Sequence, residues 1–67
     1  MIKRYQVLSK EFNVVLADIV CSSKFERTLS DSNNSITYLV FIDHPTKEKM
    51  LFIKDDVEVV ELEIQDS

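Results

Sequence analysis

Three short apolar segments rich in β-branched residues, set apart by two polar breaks, fill the stretch from Ser35 to Ile64. They read Ser-Ile-Thr-Tyr-Leu-Val-Phe-Ile, Lys-Met-Leu-Phe-Ile-Lys and Val-Glu-Val-Val-Glu-Leu-Glu-Ile. Runs of strand length bounded by turn residues predict an antiparallel meander. In the first run Ile36, Tyr38, Val40 and Ile42 share one side, and Thr37, Leu39 and Phe41 the other. Both sides are largely apolar, so this strand is expected to be central and covered on both faces. The break at residues 43–48 is a predicted turn: Pro45 presets φ, and the Asp43 side chain can bond the turn backbone. Asp55-Asp56 makes the second break. In the last run Val57 and Val59 share a side, whereas Val60, Leu62 and Ile64 take the other. That change of phase predicts a β-bulge or a single 3₁₀ turn before the final strand.

Upstream, Ile2 to Leu8 reads as a short strand, with Ile2, Arg4, Gln6 and Leu8 facing away from Lys3, Tyr5 and Val7. Residues 12–21 admit two readings. A helix would align Leu8, Phe12, Val15, Leu16 and Ile19 on one stripe, with Ser9 as N-cap. A strand is favoured, because Val14, Val15, Ile19 and Val20 suit a pleated sheet and crowd a helix. Residues 22–35 read as a polar loop, with Ser-Asp-Ser-Asn-Asn-Ser at 30–35 as the strongest breaker and Phe25 and Leu29 as isolated anchors.

The segment 51–62, in which a strand passes through a tight polar turn into a short edge strand, resembles the closing strands of SH3-like and Sm-like barrels. The glycine and asparagine positions that mark RNA-binding Sm proteins are absent. The expected architecture is mainly β: a small antiparallel sheet of four or five strands bent into an SH3-like or Sm-like partial barrel. The alternative is α+β, with one N-terminal helix on a three-stranded meander.

At 67 residues the chain makes a single small domain, 1–67, with only a modest share of its surface buried. Cys21 is the only cysteine and His44 the only histidine, so neither an internal disulfide nor a Cys/His zinc site is available. Self-association or a partner surface is the remaining source of extra stability. The chain has no glycine. Phosphate-cradling glycine loops and glycine-flanked nucleophile elbows are therefore excluded. Turns that need a positive φ fall to Asn or Asp, and Asn33-Asn34 and Asp55-Asp56 are the expected places. No apolar run approaches a membrane span and no signal-peptide pattern is present, which predicts a cytoplasmic protein with a reduced thiol. In that setting the glycosylation pattern at Asn33-Asn34-Ser35 is idle.

No convergent catalytic set is legible. His44, beside Asp43, reads as a solvent-facing turn residue, and Cys21 as a core thiol. Asp55, Asp56, Glu58, Glu61 and Glu63 form an acidic cluster without calcium-loop spacing. They are the candidate protein-binding residues, an acidic stripe for a partner with a basic surface. Lys3, Arg4, Lys10, Lys24 and Arg27 are too scattered for a nucleic-acid face, and the net charge of −4 opposes one. Enclosing a ligand cleft of roughly 300–1,000 Å³ is difficult in so short a chain. The expected function is a small non-enzymatic protein-binding module without cofactor or metal: a regulator, inhibitor or accessory subunit with phage or mobile-element character. The alternatives are a nucleic-acid-binding small barrel and a structural homo-oligomer.

Overall fold

A computed structural model describes residues 2–64. Its strands are β1 (Lys3–Ser9), β2 (Val15–Ser30), β3 (Ser35–Asp43), β4 (Lys49–Ile53) and β5 (Val57–Leu62), with a 3₁₀ turn at Lys54–Asp56 before β5. They form one antiparallel sheet in the order β4-β3-β2-β1-β5, which is not closed into a barrel. No α-helix occurs among the described residues, so the α+β alternative is overturned. The β-branched residues at 15, 19 and 20 lie in β2, while Phe12 lies in the preceding turn. Ser9 caps that turn and not a helix: its hydroxyl accepts from the Phe12 N–H at 3.2 Å and its carbonyl from the Asn13 N–H at 2.8 Å.

The reading of residues 22–35 as a loop is also corrected. β2 continues through Phe25 and Leu29 to Ser30, paired with β3. Its first part pairs with β1 as far as Cys21 opposite Lys3. Its second part pairs with β3, from Cys21 opposite Asp43 to Ser30 opposite Ser35. Between them the register slips at Ser22, an extra residue that bends the strand. The β-bulge or 3₁₀ turn expected from the change of phase at Val59 and Val60 is not found there. β5 pairs regularly with β1 through both residues, Val60 is an exposed apolar residue on the face opposite Val59, and the 3₁₀ turn lies upstream, in the Asp55-Asp56 break.

The core lies on one face of the bent sheet. Tyr5, Val7, Ile19, Cys21, Leu39, Phe41 and Val57 are buried there, with Ala17, Met50, Phe52 and Val59 packed against them. Phe41 is fully buried between Tyr5, centroids 5.8 Å apart, and Phe52, at 6.0 Å and nearly edge-on. Such tilted geometries match the ring quadrupoles. The Asp43 carboxylate accepts from both the backbone N–H (3.2 Å) and the hydroxyl (3.0 Å) of Thr46, fixing the β3–β4 turn as expected. Positive φ falls at Asn13 (54°) and Lys47 (60°), not at Asn33-Asn34 or Asp55-Asp56. At the first of those expected sites the Asp31 carboxylate instead accepts from the Asn33 and Asn34 N–H groups, and at the second the chain forms the 3₁₀ turn.

The β2–β3 hairpin outruns both its neighbours. β1 leaves β2 after Cys21, and β4 leaves β3 at Tyr38. The result is a projecting arm on a molecule measuring 50 × 26 × 15 Å.

Candidate functional site

Cross-strand register aligns an apolar face on the side of the arm opposite the core. Phe25, Val40 and Leu51 form one row, and Arg27, Tyr38 and Ile53 the next. Leu29 pairs with Ile36 toward the tip. Val40 is buried, but Phe25, Leu29, Ile36, Leu51 and Ile53 are each 40–55% exposed. Direct cross-strand neighbours on one sheet face lie close enough to form a continuous surface. The expectation that β3 is covered on both faces is therefore corrected: only one side carries the core. Arg27 and Lys49 are the only charged residues on this face of the arm and of β4, in a chain whose net charge is −4; Asp18, on the same face of β2 before the slip, is held by Arg4.

On the core side the arm is polar. Lys24, Glu26 and Thr28 point that way, opposite Phe41, Leu39 and Thr37. Here the bent sheet leaves a groove of about 700 Å³, open to solvent and not enclosed. Leu39 and Val57 line it, with charges of both signs from Lys24, Lys54, Glu26 and Glu58. Lys54 is paired with Glu26, a contact that raises its pKa above the usual lysine range. Lys24 Nζ stands 5.0 Å from the centre of the Tyr5 ring, within cation–π range. Neither Cys21 nor His44 lines the groove. Cys21 is buried and its thiol donates to the Ser23 carbonyl, while His44 is an exposed turn residue, each in its expected setting.

The five acidic candidates are dispersed. Asp55 and Asp56 lie in the 3₁₀ turn, Glu58 and Glu61 in β5, and Glu63 just beyond it. Glu58 and Glu61, three residues apart on a regular strand, point to opposite faces. Glu61 already holds Lys3 Nζ at 3.0 Å and accepts from the Tyr5 hydroxyl at 3.2 Å. The Lys3 hydrogen bond holds the Glu61 carboxyl below the usual carboxylate range. Burial, reinforced by Glu61, pushes the Tyr5 phenol up. On β1 and β2 a fork of two hydrogen bonds from Arg4 to Asp18, one of them 2.8 Å, similarly lowers the Asp18 pKa.

Sequence reasoning missed the apolar face because Phe25 and Leu29 read as loop anchors. The available signal was their period-two spacing with Arg27. Among the described residues no cluster of His, Cys, Asp and Glu is arranged to hold a metal, and no helix is long and apolar enough to cross a membrane. No protein-family model, curated protein or solved structure matches this chain.

Proposed function

We propose that the chain is a non-catalytic protein-binding module, an SH3-like or Sm-like partial barrel that docks a partner protein on the outer face of β2, β3 and β4. The observation that carries this reading is the exposed run of Phe25, Leu29, Ile36, Leu51 and Ile53 on adjacent strands. Contiguous exposed apolar surface on a small domain marks an interaction site. The barrel assignment is supported by the strand order, in which the chain passes through a 3₁₀ turn and returns beside β1.

The chemistry of the face indicates the partner. Its two charges, Arg27 and Lys49, are both basic, so it suits an apolar segment flanked by carboxylates. The groove on the core side is a weaker candidate, because its lining carries charges of both signs, Glu26 and Glu58 among the lysines.

Leu51→Asp tests the proposal. Leu51 is 55% exposed and lies outside the core cluster, so the variant is expected to fold. A photo-crosslinker on this face should trap a discrete acidic partner with the parent chain and lose it with Leu51→Asp. An identical set of crosslinked proteins from both would overturn the reading.

A further inference from the structure

From Ser22 to Ser30, β2 has β3 on one side and, among the described residues, no strand on the other. An open edge of this length is a template for another strand. Its sequence, Ser22-Ser23-Lys24-Phe25-Glu26-Arg27-Thr28, has no proline, and its charges are arranged about Phe25.

We propose that this edge is where a second copy of the chain pairs, antiparallel, about a two-fold axis through Phe25. In that register Lys24 of each copy lies opposite Glu26 of the other, both on the groove side of the sheet, where each Glu26 carboxylate would be shared between its own Lys54 and the second copy's Lys24. Phe25 meets its counterpart on the apolar side, and Ser23 lies opposite Arg27. A two-fold axis normal to the sheet keeps both apolar faces on the same side. The two three-stranded faces then become one face six strands wide.

Two further observations agree. The chain presents 5214 Å² of surface, whereas a compact monomer of 7.8 kDa presents ~4,400 Å². The excess is roughly 800 Å². The radius of gyration is 13.0 Å, against ~11 Å for a compact chain of this length. Both excesses follow from a projecting arm.

The proposal concerns the strand edge and is independent of what docks on the apolar face. It is tested by sedimentation equilibrium of the parent chain, Lys24→Glu, Glu26→Lys and an equimolar mixture of the two variants. The parent should sediment at twice its chain mass. Each variant alone places like charges opposite one another at two positions and should associate about tenfold or more weakly. In the mixture the two carboxylates of the Lys24→Glu chain meet the two ammonium groups of the Glu26→Lys chain, so a heterodimer should re-form. A general loss of stability cannot produce that rescue. A parent chain that stays monomeric at high concentration overturns the proposal. So do folded variants that dimerise like the parent, or a mixture of folded variants that stays monomeric. Should either variant fail to fold, amide exchange of the parent decides. Protection of residues 22–30 that rises with protein concentration supports the pairing, and protection that does not change overturns it.

Discussion

Phe41 and Phe25 have similar chemistry and opposite situations. Phe41 is fully buried between two rings, and Phe25 is 45% exposed on the other face of the sheet. Phe41→Ala should cost ~3–5 kcal/mol, against a total stability of roughly 3–10 kcal/mol for a chain this long. Circular dichroism at 25 °C should show Phe41→Ala largely unfolded, while Phe25→Ala stays folded. Lys47 provides a test of the opposite sign. Its φ of 60° lies in the left-handed region, which a side chain disfavours and glycine tolerates. Lys47→Gly should stabilise by about 0.5–1 kcal/mol, visible as a rise of a few degrees in Tm. An unchanged or lower Tm would show that glycine's extra freedom in the unfolded chain outweighs the relief.

Among the elements, β2 explains where the sequence was legible and where it was not. The segments β1, β3 and β4 followed from alternation and turn chemistry, whereas the adjacent Val59 and Val60 suggested an irregularity that β5 does not have. Residues 22–30 did not, because the slip at Ser22 changes which positions face the core. Before it Ala17, Ile19 and Cys21 face the core; after it Lys24, Glu26 and Thr28 do. A single alternation cannot span that slip, and polar residues on the core side read as a loop. The acidic candidates were legible as a cluster in sequence only: strand alternation separates Glu58 from Glu61, and Lys3 occupies the latter. Deleting Ser22 leaves both halves of β2 in phase with their partners while removing the bend. The expected result is a lower urea midpoint and a weaker near-ultraviolet signal from Tyr5, as β1 swings away from Phe41. An unchanged midpoint would mean that the bend has another source.

For the molecule as a whole, the exposed ion pairs of Asp18 and Glu61 set the acid response together with Asp31, whose carboxyl the Asn33 and Asn34 N–H groups also hold below its usual range. Asp18 and Glu61 have folded-state pKa values below their unfolded ones, through hydrogen bonds from Arg4 and Lys3 respectively. Their contribution is therefore complete above the ordinary carboxylate pKa of about 4 and is lost as pH falls through the depressed folded values. Tm should stay nearly level from neutral pH down to about 5 and decline below about 4. The decline should be shallower in Asp18→Asn/Lys3→Met, and at high salt, which screens both surface pairs. A Tm that rises on acidification would contradict the assignment.

The hairpin that outruns its neighbours wears its oil outward and its charges inward, the reverse of the body that carries it. With little packing at its tip, it should open and reclose more readily than the rest, and its amides should exchange first. Whatever settles on it would then tighten the hydrogen-bonded ribbon beneath, so that capture and stiffening become one equilibrium.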